Sequence, residues 1–141
     1  MRAIIFAGGT GGHIYPALAI LNKIKEMEPD SEFLYIGTTD RMEATIIPEK
    51  KIPFVGIEMK GLDRKHILKN IKVLGCFQKA IQKAKEEIRK FDPDVVLGIG
   101  GYITAPVIYA AAKLGYKTFI HEQNSIPGVS NRFLSHYETK I

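Results

Sequence analysis

The chain contains a single cysteine, Cys76, and no tryptophan among its 141 residues. One thiol cannot form a disulfide within the chain, and a lone cysteine fits a reducing compartment. The four histidines show no metal-ligand spacing, so neither a metal site nor a cofactor is predicted. No run approaches 18 apolar residues, and the run at residues 4–7 is too short for a signal peptide. We therefore expect one cytosolic domain over residues 1–141.

Short apolar runs alternate with helical patterns along the chain, which is typical of an α/β domain with a parallel sheet. Strands are predicted at 2–7, 32–37, 54–58, 94–99 and 117–121. Helices are predicted at 16–27, 41–47, 67–91, 105–114 and 129–134, with a break near Gly75 left open. In the long helix, an apolar stripe at 3- and 4-residue steps predicts the side that faces the core: Leu74, Phe77, Ile81, Ala84, Ile88 and Phe91. The pattern favours a doubly wound, Rossmann-like sheet.

Four glycines in five positions, at 8, 9, 11 and 12, separate the first predicted strand from the first helix. Such a turn exposes backbone N–H groups at a helix N-terminus, which suits an anion such as a phosphate. The loop ends in His13, whose side chain can accept a proton near neutral pH. The lysine of a P-loop is missing, and Ile14 stands where a dinucleotide fingerprint has its third glycine. The loop therefore predicts chemistry on a phosphorylated substrate and disfavours NAD.

Two further clusters follow the predicted fourth and fifth strands. The glycines at 98, 100 and 101 precede Tyr102, and four polar residues occupy 121–124. In a doubly wound sheet, the first and fourth strands are neighbours at the switch point where ligands bind. Both clusters are therefore expected beside the first glycine loop, although tight turns and a buried structural His121 stay open as alternatives. His66 and His136 are expected at the surface.

The net charge of +5 is concentrated in one block. Residues 60–90 contain ten Lys or Arg and three Asp or Glu, so the block carries +7 and the remainder −2. Within it, residues 60–74 interleave lysines with Ile and Leu, which favours an anionic membrane surface. A core-facing helix with a solvated lysine side is the alternative. Nucleic acid is disfavoured because the segment lacks aromatic residues that stack on bases.

Four segments then carry a specific resemblance. They are GGTGGHIYPALA at 8–19, GTTDRME at 37–43, DPDVVLGIGGY at 92–102, and HEQN at 121–124 with PG at 127–128 and NR at 131–132. With these segments the chain resembles the MurG family of peptidoglycan N-acetylglucosaminyltransferases over essentially its whole length. The resemblance implies the N-terminal, acceptor-side domain of a GT-B fold, without the C-terminal donor-binding domain.

The family's reaction, as the resemblance implies it, moves GlcNAc from UDP-GlcNAc to the MurNAc C4 hydroxyl of lipid I (undecaprenyl-diphosphate-MurNAc-peptide), forming lipid II. The implied location is peripheral, at the cytoplasmic face of the bacterial cell membrane. Because the donor-binding domain is missing, this chain alone is expected to be inactive. The family needs no metal to bind the donor diphosphate.

The resemblance, combined with this chemistry, assigns roles to individual residues. Inversion at the anomeric carbon needs a base for the acceptor hydroxyl, and His13 is the first candidate, with Glu122 orienting or polarising the acceptor. The donor contacts implied are Thr10, Gly11, Gly12 and Asn124. The backbone of Gly100, Gly101 and Tyr102 is expected to hold the lipid I diphosphate. The expected membrane contacts are Lys65, Ile67, Leu68, Lys69, Ile71 and Lys72.

Two other functions stay open at this point. One is a non-catalytic subunit that recruits a separate catalytic chain of a split GlcNAc-transferase to the membrane. The other is a soluble nucleotide-binding Rossmann domain, which the failed dinucleotide pattern disfavours. Residues 138–141 resemble the entry to a further strand, so either the sheet ends there or the sequence belongs to a larger protein.

Overall fold

The computed structural model describes residues 1–7, 11–58, 67–100 and 104–121, with the backbone alone at 11–13, 67–74, 76, 77, 104 and 105. Strands and helices alternate along these ranges, as predicted. The strands are β1 Arg2–Ala7, β2 Glu32–Thr38, β3 Phe54–Ile57, β4 Val95–Gly100 and β5 Thr118–Ile120. The helices are α1 Gly11–Met27, α2 Glu43–Glu49, α3 Ile67–Phe91 and α4 Thr104–Lys113. The helix predicted at 129–134 lies outside the described residues.

All strand pairs are parallel, and the sheet has the order β3-β2-β1-β4-β5. The chain therefore builds outward from β1 to β3 and returns through α3 to place β4 on the other side of β1. This reversal makes the carboxyl ends of β1 and β4 the topological switch point, where ligands bind in sheets of this class. The predicted adjacency of the first and fourth strands is confirmed.

Each face of the sheet is covered by two helices. Ile4 and Phe6 of β1 belong to one buried cluster, which includes residues of α3 and α4. Ala3 and Ile5 belong to the other, which includes residues of α1 and α2. Because side chains alternate along a strand, a central strand covered on both faces must be apolar throughout, and residues 3–7 are fully buried. The doubly wound, Rossmann-like architecture is confirmed.

Helix α3 runs without a break from Ile67 to Phe91, so the break considered near Gly75 is wrong. Gly75 is exposed, and a methyl group in place of its hydrogen would meet no atom within 4 Å. The glycine costs some helix propensity, but the buried stripe of the same helix outweighs that cost. Of the predicted stripe, Ala84 and Ile88 are buried, while Ile81 and Phe91 pack against the core at its margin.

The start of α1 differs most from the prediction. Proline suits a first helical turn, and the helix was therefore predicted from Pro16; it begins five residues earlier, at Gly11, with Pro16 inside. Glycine has low helix propensity, so no local signal marks this start. The other ends agree with the prediction or differ by at most two residues; α2, for example, covers 43–49 rather than 41–47. None of the helices in the described ranges combines the length and apolar character needed to cross a membrane.

Candidate functional site

The carboxyl ends of three adjacent strands meet at one edge of the sheet. β1 ends at Ala7, β2 at Thr38 and β4 at Gly100. The pairing of β1 with β4 becomes irregular here, because Phe6 lies opposite Gly98 while Ala7 lies opposite Gly100. Gly100 has a φ of 132°, a backbone conformation that residues with a Cβ adopt only under strain. The second glycine cluster therefore includes an irregular strand end, at Gly100, that requires glycine.

Helix α1 begins four residues after the end of β1, at the same edge of the sheet. Its first residues, Gly11 and Gly12, carry no Cβ, so ligand atoms can approach the backbone closely. The first four N–H groups of an α-helix have no partner within the helix, and the helix dipole favours negative charge at that end. No acidic residue stands in the first turn of α1. The edge thus offers donors suited to a phosphate oxygen.

Two buried polar side chains lie behind this edge. The Tyr35 hydroxyl donates a hydrogen bond of 3.0 Å to the Ala7 carbonyl, and Tyr35 is fully buried. The Glu43 carboxylate, also fully buried, accepts hydrogen bonds from the Thr38 backbone N–H at 2.8 Å and from its hydroxyl at 2.5 Å. Burial, and secondly the charge of Glu43, raises the pKa of Tyr35 far above its ordinary value, so its hydroxyl stays a donor.

A cavity of about 360 Å³ adjoins the edge beside β4 and β5. Its wall is mainly apolar and is formed by Ile20, Leu97, Gly98, Ile99, Phe119, Ile120 and His121. The His121 backbone N–H donates to the Gly98 carbonyl at 2.8 Å, which extends the β4–β5 pairing past β5. His121 is exposed, so the alternative of a buried structural histidine at this position is wrong. The first residue of the polar cluster at 121–124 therefore lies at the carboxyl edge, as predicted.

The structure brings part of the predicted site together. Gly11, Gly12 and Gly100 all lie at the carboxyl edge, and His13 follows in the first turn of α1. The remaining predicted donor, acceptor and catalytic residues lie outside the described residues: Thr10, Gly101, Tyr102, Glu122 and Asn124. Their roles, like that of His13, stay predictions.

The predicted membrane segment falls on the first turns of α3, whose backbone is helical from Ile67 onward. Lys65 lies outside the described residues, and Leu68, Lys69, Ile71 and Lys72 are described by their backbone alone. The last residue of α3, Phe91, accepts a hydrogen bond on its carbonyl from Arg2, the first residue of β1. A 25-residue helix is about 37 Å long and a six-residue strand about 20 Å. Helix α3 is therefore longer than the strands that it covers.

Sequence reasoning assigned no role to Tyr35 or Glu43. A signal for Tyr35 was present, because a tyrosine within an otherwise apolar buried strand needs a partner for its hydroxyl. No comparable signal exists for Glu43, since a glutamate in the first turn of a short helix is ordinarily a solvated residue stabilised by the helix dipole. Its burial arises only because α2 packs against the end of β2.

Known proteins resemble this chain over its whole length. The model of the glycosyltransferase family 28 N-terminal domain matches residues 3–141. A UDP-N-acetylglucosamine--N-acetylmuramyl-(pentapeptide) pyrophosphoryl-undecaprenol N-acetylglucosamine transferase of Bacillus thuringiensis is 53% identical over all 141 residues. The corresponding N-acetylglucosamine transferase of Bacillus pumilus is 50% identical over 141 residues. The chain spans 39% of the length of each of these two curated relatives.

Solved structures also match nearly the whole chain. The crystal structure of MurG from Acinetobacter baumannii has a TM-score of 0.85 at 29% identity, covering 98% of this chain and 40% of that one. A UDP-GlcNAc 2-epimerase from Methanocaldococcus jannaschii has a TM-score of 0.66 at 15% identity, covering 99% of this chain and 38% of that one. The second likeness concerns the fold alone.

Proposed function

The chain belongs to glycosyltransferase family 28 as an N-terminal domain, and from this we propose that it is the acceptor-side half of an inverting N-acetylglucosaminyltransferase. The reaction proposed moves GlcNAc from UDP-GlcNAc to the MurNAc C4 hydroxyl of lipid I and yields lipid II for peptidoglycan synthesis. One observation carries the proposal: the start of α1 and the end of β4 lie at the same carboxyl edge, on either side of the switch point. Two glycine-rich segments at one edge suit a reaction between two diphosphate-bearing substrates.

The two segments take different substrates in this proposal. Thr10, Gly11 and Gly12, with Asn124, contact the donor, and the N-terminal amides of α1 interact with its phosphate oxygens. Gly100, Gly101 and Tyr102 hold the diphosphate of lipid I through backbone amides. The absence of a Cβ at Gly11, Gly12 and Gly100 allows both ligands to approach the main chain.

A single displacement accounts for the inversion. His13 removes the proton from the C4 hydroxyl, the oxygen attacks the anomeric carbon of GlcNAc, and the bond from that carbon to the UDP oxygen breaks. The electron pair of that bond leaves with UDP. Glu122 orients or polarises the acceptor. The departing UDP is negatively charged, and this charge needs stabilising contacts. A C-terminal domain is proposed to supply the remaining donor contacts, so transfer requires that domain as well. The isolated chain is accordingly proposed to be inactive.

The basic turns of α3 are proposed to contact anionic phospholipid at the cytoplasmic face of the membrane. Helix α3 starts after β3, whose carboxyl end lies at the same edge as the proposed acceptor site, so contact of its first turns with the surface would bring that edge toward a lipid-linked acceptor. Lys65, Lys69 and Lys72 would interact with headgroups, and Ile67, Leu68 and Ile71 with the acyl boundary.

A transfer assay tests this function in a chimera that joins this chain to the part of the Bacillus thuringiensis relative that it does not cover. Replacing the proposed base, His13→Ala, is expected to lower kcat by about 10²–10⁴-fold. His136→Ala, a change at a histidine with no assigned role, serves as the matched control. Near-normal turnover of His13→Ala would reassign that residue to a structural role.

The same assay examines the membrane proposal. A lipid I analogue is presented either in phosphatidylglycerol vesicles or in phosphatidylcholine vesicles, and turnover is expected to be faster in the anionic ones. Equal turnover in both would exclude an electrostatic contribution from α3. Binding of NAD by the purified chain, without transfer by the chimera, would favour the nucleotide-binding Rossmann domain instead.

A further inference from the structure

The pairing between β1 and β2 ends at the edge where the proposed site begins. The last residues paired between these two strands are Phe6 and Ile36, so Ala7 and Thr38 lie beyond the β1–β2 ladder, while Ala7 still pairs with Gly100 of β4 and Thr38 with Ile57 of β3. Backbone groups that leave a ladder inside a protein need other partners, because an unpaired buried group is costly. Here the partners are side chains of β2 and α2.

Tyr35 supplies the partner for β1. It lies opposite Ile5 in the β1–β2 register, and its ring packs in the same core cluster as Ile5 and Ala7. The ring also stacks on Phe54, with centroids 6.1 Å apart, which restricts its position. Its hydroxyl reaches two residues along β1 to the Ala7 carbonyl. The last described residue before α1 is therefore held by a rigid side chain of the neighbouring strand.

Glu43 holds the end of β2 in the same way. One carboxylate oxygen accepts both the backbone N–H and the hydroxyl of Thr38, which joins the first turn of α2 to the end of β2. Gly37 makes room for this arrangement, since a Cβ there would overlap the Glu43 Cγ. The charge of Glu43 also acts on the Tyr35 hydroxyl. Both side chains are buried behind the same edge of the sheet.

We propose that Tyr35 and Glu43 are positioning residues, which fix where β1 and β2 separate and thereby orient the first turn of α1 for the donor. Neither side chain reaches solvent, so neither touches a substrate. They act through the Ala7 carbonyl and the Thr38 backbone. This inference rests on the proposed function, in which Gly11 and Gly12 contact UDP-GlcNAc.

Tyr35→Phe tests the inference, because it removes one hydroxyl and keeps the ring. In the 141-residue chain, the amide NMR signals of Ala7, Gly11 and Gly12 are expected to shift. In the chimera, KM for UDP-GlcNAc is expected to rise about tenfold, equivalent to about 1.4 kcal/mol, while KM for the lipid I analogue changes less than about twofold. A KM change confined to the donor would not follow from general destabilisation.

Tyr116→Phe is the matched control. It also removes one hydrogen bond, from the Tyr116 hydroxyl to Asp92 at 2.9 Å, but at the opposite edge of the sheet. It should leave both KM values and the three amide signals unchanged. Glu43→Gln keeps an acceptor oxygen and should preserve the Thr38 amide signal, whereas Glu43→Ala should shift it.

The outcomes separate the two proposals. Unchanged Gly11 and Gly12 signals in Tyr35→Phe, with an unchanged donor KM, would overturn the positioning role. A different result is that Tyr35→Phe shifts these signals but the wild-type chimera transfers no GlcNAc. That result would contradict the proposed function and still support the positioning of α1.

Discussion

The two edges of the sheet are held by different kinds of polar contact. At the amino edge, Arg2 forms an ion pair with Glu32, its backbone N–H donates to Asp94 at 2.9 Å, and its guanidinium lies 4.3 Å from the centroid of the Phe91 ring. These groups are exposed or partly exposed. At the carboxyl edge, the corresponding contacts are made by Tyr35 and Glu43, which are fully buried. Of these two sets of contacts, the buried one lies at the edge that carries the proposed site.

The difference shows where a polar contact determines structure. Water competes for the groups at the amino edge, so each of those contacts can be lost at little cost. Water does not reach the groups at the carboxyl edge, and a missing partner there leaves a donor or acceptor unpaired in the core. Buried polar contacts therefore restrict the backbone conformation more than exposed ones do. A binding edge needs a backbone that is restricted in this way.

The largest effect is expected from replacing the same residue type at the two edges. Glu43→Ala should lower the free energy of unfolding by about 2–4 kcal/mol, because it leaves the Thr38 N–H and hydroxyl without their acceptor and creates a cavity. Glu32→Ala should cost less than about 1 kcal/mol. Urea denaturation of both variants measures the contrast, and equal losses would remove the distinction between the edges.

An intermediate effect is expected when Glu43 is displaced rather than removed. A methyl group at Gly37 would overlap the Glu43 Cγ, so Gly37→Ala should destabilise the chain by about 1–3 kcal/mol. Gly75→Ala, in the exposed interior of α3 with open space around it, should stabilise by about 0.5–1 kcal/mol. Thermal unfolding of the pair provides the measurement. A stable Gly37→Ala variant would mean that Glu43 moves without cost.

The smallest effect concerns alkaline pH. The pKa of Tyr35 is raised in the folded chain, first by burial and then by Glu43, so the unfolded chain loses this proton first as pH rises. The resulting stabilisation is complete below about pH 10, the ordinary tyrosine pKa, and declines above it. Between about pH 9 and pH 11, the stability advantage of the wild type over Tyr35→Phe should shrink by about 1 kcal/mol.

Urea denaturation at the two pH values measures this advantage. Tyr116→Phe serves as the control at the amino edge. The pKa of the Tyr116 hydroxyl is raised mainly by its hydrogen bond to Asp92, in a setting open to water, and the corresponding change should be smaller. If the difference in unfolding free energy between the wild type and Tyr35→Phe is the same at both pH values, the pKa of Tyr35 is not raised in the folded chain.

Patterns that extend over many residues predicted the fold well. The buried run of β1 and the stripe of α3 each repeat one signal several times, so a single glycine such as Gly75 did not change the outcome. The start of α1 could not be predicted in the same way. The helix starts at Gly11 and Gly12, although glycine has a low helix propensity. The position of the start is set instead by the short connection from β1 to the helix that packs on it.

The sequence by itself determined the alternation of strands and helices, the apolar character of β1, and the glycines at 11, 12 and 100 that suit a phosphate-binding edge. These features follow from residue type and spacing, which do not depend on distant partners. Only the tertiary structure decided that Tyr35 reaches Ala7 and that Glu43 is buried against Thr38. Strand register and helix packing set those contacts. A side chain's partner across two elements is fixed only when both are in place.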